Sequence, residues 1–354
     1  MGKRISGQAN KEAQELRTPY TVLLTDKQTK AGSILLLALW CLCILSTFAV
    51  ILGYNVRSKI SLIRRLEERD KCFFYALAGV KRASAYLKAE PLKDIYTLVD
   101  SYADMSGIFK DVSVDDGNFS IVAPYSTGVR YGFIDEESRI NINSVDMTVL
   151  KRLFKYVLDM DEMPAQDLAA CVIDWRDSDS ELSIPVGSAE DRYYSGLDSP
   201  YEAKDDNFEM PDELLLVKGM TPEYFSKLGG YITVYGAGIV NANTASKAVL
   251  IALGLNEKLA DAIISFRAGG DALPGTGDDN VFSSSSGIAA AVSKYYRLGE
   301  SETAQINSVA ERYLGVNSAF FRAESIASLR NRSNATHVVC VLSRRGRIIY
   351  WREL

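Results

Sequence analysis

The sequence predicts an α+β protein in which a long N-terminal helix packs on a small antiparallel sheet, and a large, mostly α-helical domain is inserted between the strands. Three observations lead to this fold class: an apolar run that continues into an amphipathic helix, strand patterns on both sides of a helical block, and an internal repeat within that block. With 354 residues and 47% hydrophobic content, the chain is long enough to bury such a core.

The predicted N-terminal helix starts with an uncharged apolar run from Ser33 to Leu52. About 20 apolar residues cross the hydrocarbon core of a bilayer, whereas the apolar core of a secretory signal peptide has about 7–15. Apolar residues then recur at helical spacing from Ile60 to Leu87, and no proline follows before Pro91. Lysine and arginine outnumber acidic residues in the first 32 positions, which predicts a single-pass protein with a cytoplasmic N-terminus.

Strand patterns frame the rest of the chain. Two short strands are predicted at 119–123 and 129–134, and three longer ones at 319–329, 336–342 and 347–351. Because the segment between these groups is mostly helical, one sheet with an inserted domain is favoured over two domains in series. The predicted segments are a leader (1–32), a transmembrane helix (33–54), a helix with the first strands (55–135), the inserted helical domain (136–316) and the C-terminal strands (317–354).

The inserted domain contains an internal repeat, in which Arg139–Val145 aligns with Ile239–Ala245. Each copy closes with a predicted helix, at 167–176 and at 258–267. These copies are interpreted as two helix-turn-helix, or SAM-like, repeats. The Asn143–Ser144 and Asn243–Thr244 pairs are predicted to cap helix N-termini, and Thr221 is predicted to cap a helix after a turn at Gly219.

Charge and composition narrow the function classes. A net charge of −5 argues against nucleic-acid binding, and Lys218 is the only basic residue at the Gly219 turn. A membrane-anchored DNA-uptake protein therefore stays only as an alternative. The single histidine, His337, lies in a strand pattern, and the serines at 283–286 have no base beside them. No enzyme is predicted, and an anchored calcium-dependent hydrolase would lack an activated nucleophile.

An acidic loop between residues 174 and 207 is the candidate metal site. Asp177, Asp179 and Glu181 alternate like the early ligands of a calcium loop, and Glu190–Asp191 can return from the far side. The pattern is not an EF-hand, and composition alone favours a metal no more than a solvated loop.

A second acidic segment, with Asp271, Asp278 and Asp279, is interpreted as a plain turn-rich loop.

Seven sequence strings, in order, resemble the protein K family of type II secretion systems, which are large minor pseudopilins. They run from about residue 32 to the end: Gly32 with Leu35–Trp40, Asp135–Asn143, Val172–Asp179, Ala189–Tyr194, Glu213–Thr221, Val240–Ala245 and Tyr350–Glu353. One such string would carry little weight, but seven in the expected order are specific.

This resemblance implies a prepilin-type leader that the prepilin peptidase cuts between Gly32 and Ser33, followed by methylation of Ser33. The leader would be longer than is usual in the family. The protein would lie in the bacterial inner membrane with its C-terminal domain in the periplasm. It would cap the pseudopilus tip and initiate its assembly for protein export, with the minor pseudopilins I and J, the major pseudopilin G and the inner-membrane secretion platform as partners.

The resemblance also implies bound Ca²⁺ in the inserted domain, with Asp177, Asp179, Glu190 and Asp191 at the matching positions. Leu37, the fifth residue after the cut, stands where most pilin-like proteins have a glutamate and protein K does not. A carboxylate there is costly without a counter-ion, which fits a subunit with nothing above it. The nearest alternative is a tip minor pilin of a type IV pilus.

Overall fold

The computed structural model describes residues 28–89, 94–100, 105–125, 128–330 and 335–354. The predicted leader lies outside the described residues as far as position 27. The helices in chain order are α1 (Gln28–Ala89), α2 (Ser106–Phe109), α3 (Met147–Leu158), α4 (Glu162–Asp174), α5 (Asp191–Tyr194), α6 (Pro222–Leu228), α7 (Lys247–Leu253), α8 (Glu257–Arg267), α9 (Ile288–Ser293) and α10 (Glu300–Tyr313). The strands are β1 (Val112–Val114), β2 (Gly117–Tyr125), β3 (Gly128–Arg130), β4 (Ile134–Asp135), β5 (Ile140–Asn141), β6 (Ile232–Thr233), β7 (Val240–Asn241), β8 (Leu314–Gly315), β9 (Phe320–Leu329), β10 (Ala335–Ser343) and β11 (Ile348–Glu353).

The chain divides into two compact units, and the division falls within α1, between Arg65 and Leu66. In the first unit every side chain from Ser33 to Arg65 is exposed, including the whole apolar run. This part of α1 is long and apolar enough to cross a membrane, as the sequence predicts.

The second unit contains the sheet. Among the described residues, seven strands pair antiparallel along the path β1-β2-β9-β10-β11, with β3 paired to β2 and β4 paired to β9. The three predicted C-terminal strands are confirmed as β9, β10 and β11. The single strand predicted at 129–134 is wrong: its residues form β3 and β4, because the chain leaves β2 and pairs with β9 instead.

Within the second unit, α1 packs on the sheet through one face. Cys72, Ala76, Val80, Ala83 and Leu87 are at most 4% exposed and recur every three to four residues. They join a core with the inward-facing residues of β2, β9 and β10. The predicted layer of helix on antiparallel sheet is therefore confirmed.

The inserted helical domain leaves the sheet after β4 and returns at β9. These two strands pair directly, with Ile134 opposite Arg322 and Asp135 opposite Phe321. The domain has a hydrophobic core of its own, formed by buried residues between Ile140 and Leu314. Because its two ends lie on neighbouring strands, the insertion is accommodated without opening the sheet.

The two repeats share the same local bonding. Arg176, two residues after α4, donates to two backbone carbonyls in the preceding Asn-containing turn, and Arg267 at the end of α8 does so in the second copy. In each copy the strand at its start forms a parallel two-stranded pair, β5 with β6 and β7 with β8.

The predicted helix caps are partly wrong. The N-caps of α3 and α7 are Asp146 and Ser246, whose side chains accept from the first-turn amides. Asn143 and Asn243 instead bond to the backbone of the loop that follows in each repeat. An asparagine side-chain amide both donates and accepts, so it can bond the N–H and the C=O of one residue. A helix cap would use only its side-chain oxygen, as an acceptor. Thr221 does cap α6, as predicted.

Asp135, the last residue of β4, lies where the insertion begins, and it is 4% exposed. Its Oδ2 accepts hydrogen bonds from Asn241 Nδ2 at 3.1 Å, Thr244 Oγ1 at 2.5 Å and Ser318 Oγ at 2.7 Å. Burial raises the pKa of Asp135 to about 6 although these donors act against the rise. One carboxylate thus joins the entrance of the insertion, its second repeat and its exit.

Glu136 forms a second buried contact between the sheet and the insertion. Its carboxylate lies 2.7 Å from Arg322 Nε on β9 and 3.3 Å from Arg139 Nη1, and it accepts from Thr233 Oγ1 at 2.5 Å. Burial alone would raise the pKa of Glu136, but the charges of Arg139 and Arg322 hold it below its usual value. The carboxylate therefore stays ionised and paired.

Glu137 completes this acidic segment, and its Oε2 accepts from the backbone N–H of Phe320 at 3.1 Å. Burial first, and then the charge of Asp135, raise the pKa of Glu137 to about 8.

Helix α1 lies close against the sheet at Gly79. A Cβ there would lie 2.2 Å from Ser325 Oγ, 3.0 Å from Phe119 and 3.1 Å from Ile121. We expect Gly79→Ala to destabilise the protein by about 1–3 kcal/mol, because the new methyl group must displace the Ser325 hydroxyl and press on the buried side chains of Phe119 and Ile121. Chemical unfolding in detergent measures this. Gly107→Ala is the control, since nothing lies within 4 Å of its Cβ; equal stability of the two variants would contradict the packing described.

Glu137 generates a pH-dependence prediction. A carboxyl whose pKa is raised in the fold binds more protons folded than unfolded, so its stabilisation is complete at acid pH and is lost as pH rises towards 8. We expect Glu137→Gln to flatten the fall in stability between about pH 5 and pH 8 by roughly 1–3 kcal/mol. Urea unfolding across this range measures the effect, with the exposed Glu311→Gln as control. Parallel profiles for Glu137→Gln and the unaltered protein would exclude this role.

Candidate functional site

The acidic loop connects α4 to the short 3-10 helix Pro211–Leu216 and contains one helical turn, α5. Its far end is fixed by Asn143, which donates to Phe208 O at 2.9 Å and accepts from Phe208 N at 2.8 Å. Its near end follows α4 directly. The loop is therefore held at both ends by the first repeat, and its polar middle folds back on itself.

Three of the four predicted metal residues come together in this loop. Carboxylate oxygens of Asp177, Asp179 and Glu190 all lie within 4.8 Å of one another. Asp179 is exposed, Asp177 is half-buried, and Glu190 is only 5% exposed. Asp191 is outside this group, and its Oδ1 accepts from Ala203 N at 2.8 Å, which braces the far side of the loop.

The electrostatics of this group are unfavourable within the described chain. Burial and then the charge of Asp179 raise the pKa of Asp177 to about 6, and burial and then the charge of Asp174 raise that of Glu190 to about 7. Asp177 Oδ1 and Glu190 Oε1 are buried without a hydrogen-bond partner among the described residues. These carboxylates thus lack the donors that normally accompany burial.

Sequence reasoning missed two further carboxylates of this loop. Asp174 is fully buried at the end of α4, where its Oδ1 accepts from Ser183 N at 3.1 Å and its Oδ2 has no partner among the described residues. Asp205 approaches from the far end in a left-handed conformation, φ +53°, and its charge adds to the raised pKa values of Asp177 and Glu190. The spacing of Asp174 in an apolar helix gave no ligand signal, while the adjacent Asp205–Asp206 pair was the only local hint.

The donor set fits a hard cation. Calcium binds carboxylate oxygens at about 2.3–2.6 Å, so two of its ligand atoms are at most about 5 Å apart, and oxygens within 4.8 Å of one another satisfy this limit. The orphaned oxygens of Asp174, Asp177 and Glu190 offer lone pairs that no described protein donor uses. The predicted site therefore fits the group chemically, and it stays a prediction.

Three aromatic residues of the acidic loop pack against one another. The rings of Trp175, Tyr194 and Tyr201 lie with their centroids 5.1 to 6.1 Å apart, and Tyr194 is fully buried. Tyr194 Oη accepts from the backbone N–H of Lys218 at 3.2 Å, and Tyr201 Oη donates to Leu216 O at 2.9 Å. The acidic loop and the turn before α6 are thus one packed unit.

Lys218 bears on the DNA-binding alternative. Its Nζ donates to Gly187 O at 3.0 Å and Ser188 O at 3.1 Å, and it lies 4.9 Å from the ring centroid of Tyr193. The basic side chain at the Gly219 turn is therefore directed at the acidic loop and is not presented to a phosphate.

The second acidic segment satisfies itself. Asp278 Oδ2 accepts from the amides of Gly270 and Asp271, and Asp279 Oδ2 accepts from Gly275 N at 2.7 Å. Hydrogen bonds from the Thr276 hydroxyl, and then from the amides of Gly270 and Asp271, lower the pKa of Asp278. The interpretation as a turn-rich loop agrees with this bonding.

The predicted processing residues, Gly32 and Ser33, lie within α1, and Ser33 is exposed. His337 lies on β10 with its Nδ1 3.4 Å from Glu324 Oε1 on β9. Ser284, within the serine run, caps the 3-10 helix Ser285–Gly287 by accepting from Gly287 N. His337 and Ser284 thus have structural contacts that account for their positions.

Comparisons with known proteins agree with one another. Residues 134–237 match the family model for type II secretion system protein K. The type II secretion system protein K of Aeromonas hydrophila is 27% identical over 252 residues, which cover 62% of this chain and 71% of that protein. A chain in the crystal structure of the GspK-GspI-GspJ complex from the enterotoxigenic Escherichia coli type 2 secretion system is 16% identical, with a TM-score of 0.59. That alignment covers 82% of this chain and 99% of the other, so the fold is shared.

Proposed function

We propose that this chain, which belongs to the protein K family of type II secretion systems, is the minor pseudopilin that caps the pseudopilus tip and initiates its assembly for protein export. The observation that carries this proposal is the helical domain inserted between the paired strands β4 and β9. A helical filament repeats one heterologous contact, and an insertion of about 180 residues on each subunit would collide with the next. At the end of the filament no subunit follows.

The N-terminal helix supports a membrane-stored subunit. Its apolar side chains from Ile34 to Leu52 are exposed within their own unit, so they must be surrounded either by lipid or by the helices of other subunits. We infer cleavage between Gly32 and Ser33, methylation of Ser33, and an inner-membrane location with the second unit in the periplasm. Leu37 avoids a buried carboxylate that a tip subunit has no amine to neutralise.

We propose homologues of the GspI and GspJ pseudopilins as direct partners, because the solved relative forms a complex with them. The major pseudopilin G, the secretion platform and the prepilin peptidase follow from the same assignment. A candidate contact surface lies where β11 ends the sheet: Trp351 is 51% exposed, and Phe74 on α1 is 62% exposed. Both lie beside Phe73, with ring centroids 6.0 and 5.8 Å away. Exposed clustered aromatic residues are enriched at protein interfaces.

We further propose that the acidic loop binds Ca²⁺ through Asp177, Asp179 and Glu190, with Asp174 and Asp205 completing the negative site. The cation would add positive charge to that of Arg176, which acts against the raised pKa of Asp177. Asp174 extends from α4, whereas Asp191 braces the loop through Ala203. The bound cation would hold separate parts of the long loop together and would take part in no chemical step.

Association with partners is tested by co-purification of the full chain, in detergent, with the I and J pseudopilins. We expect a ternary complex, and we expect Phe74→Glu to reduce capture at least about ten-fold, because interface aromatics are frequent hot spots. Met163→Glu is the control, since Met163 is 63% exposed on α4 of the inserted domain. If the unaltered chain captures neither pseudopilin, the proposed function fails. If the unaltered chain and Phe74→Glu capture them equally well, the contact surface is wrong and the function stands.

Calcium binding is tested by thermal unfolding with excess calcium or chelator. We expect chelation to lower the melting temperature by about 5 °C, as mass action at saturating ligand implies. Asp177→Asn should abolish this shift while leaving the chelated protein no less stable, because the substitution removes like-charge repulsion. Asp279→Asn is the control: it should lower stability through its lost amide contact and keep the calcium shift. An unchanged melting curve on chelation would disprove the metal site.

A further inference from the structure

Lys218 occupies a turn whose backbone brings it against the acidic loop. It lies between the 3-10 helix Pro211–Leu216 and α6, next to Gly219, which has a left-handed φ of +83°. The partly buried side chain extends so that Nζ reaches the carbonyl oxygens of Gly187 and Ser188. A lysine ammonium that binds two backbone carbonyls in place of a carboxylate fixes the path of the chain at that point.

The segment held by Lys218 is the one that delivers Glu190. Gly187 has φ +137°, and a Cβ there would lie 2.3 Å from Asp167 Oδ1, so the backbone is pressed against α4. Its carbonyl also accepts from Cys171 Sγ at 3.4 Å. Ser188 and Glu190 are 6% and 5% exposed. The two carbonyls bound by Lys218 are therefore two and three residues from a buried carboxylate whose oxygen has no described partner.

We infer that Lys218 is the positioning residue of the cation site, because its ammonium fixes the 187–188 backbone and so holds Glu190 beside Asp177 and Asp179. This inference rests on the proposed Ca²⁺ site and adds a residue from outside the acidic loop. Lys218 touches no member of the carboxylate group in the described contacts, so it acts through the backbone that carries Glu190.

The sign of the effect separates positioning from simple electrostatics. A positive side chain near a cation site repels the cation, so removing that charge would strengthen Ca²⁺ binding if charge alone mattered. If Lys218 orients Glu190, its removal weakens binding. Residues that orient metal ligands through hydrogen bonds typically change metal affinity by about 10–100-fold when they are replaced.

The experiment is calcium titration calorimetry on the full chain in detergent, after removal of metal by chelation. We expect Lys218→Met, which keeps the aliphatic stem and loses the donors, to weaken Ca²⁺ binding by about 10–100-fold. Lys218→Arg keeps donors and charge and should lose less. Lys227→Met is the matched control, since Lys227 lies on the adjacent helix α6 and pairs with Glu223 at 2.7 Å, away from the loop.

Each outcome decides the inference. Unchanged or tighter binding by Lys218→Met overturns it while the cation site stands, and so does a lower melting temperature in chelator with unchanged affinity. Absence of calcium binding by the unaltered chain overturns both the site and the role of Lys218. If Lys218→Met does not fold, Lys218→Gln replaces it: weaker binding supports positioning, and affinity equal to that of the Lys227→Met control overturns it.

Discussion

The carboxylate of Asp135 is the interaction on which the arrangement of the second unit depends. Burying a charged carboxylate costs several kcal/mol unless its lone pairs are satisfied. The donors to its Oδ2 come from Asn241 and Thr244 in the second repeat and from Ser318 at the exit of the insertion, so β4 and both of these segments must be in place together. The paired Glu136 adds a second buried contact to β9 through Arg322. These contacts leave the inserted domain one orientation on the sheet.

The acidic loop also buries carboxylates, but their surroundings differ from those at the junction. At the junction, hydroxyls, amides and guanidinium groups from the chain surround the buried carboxylates. In the loop, burial and then the charges of neighbouring carboxylates raise the pKa values of Asp177 and Glu190, and each of these two residues has a buried oxygen without a partner among the described residues. The junction thus satisfies its buried carboxylates with donors from the chain, whereas buried oxygens of Asp174, Asp177 and Glu190 have no partner among the described residues, and this difference is the basis of the proposed Ca²⁺ site.

Periodicity and turn residues were enough to predict the elements whose stability is local. The long helix, the C-terminal strands and the repeat follow from patterns that a single stretch of sequence contains. What could not be predicted depends on contacts between distant residues: the roles of Asn143 and Asn243, the split of β3 from β4, and the approach of Asp205 to Glu190. Asp174 was missed for another reason, since a carboxylate within an apolar helix has no spacing signal of its own.

The two repeats differ in how their acidic loops satisfy their carboxylates. In each copy an asparagine fixes the end of the loop, at Phe208 in the first and at Phe282 in the second, so both loops start from the same frame. The second loop is short, and Asp278 therefore lies within reach of the loop's own amides. The first loop is much longer, and its carboxylates come from separate parts of it. Asp174 and Asp179 each accept from one backbone amide, but carboxylate oxygens of Asp177, Asp179 and Glu190 lie within 4.8 Å of one another. Length thus separates a turn whose carboxylate is bonded by its own amides from a loop that leaves several carboxylate oxygens without a described partner, and the proposed Ca²⁺ site lies in the longer loop.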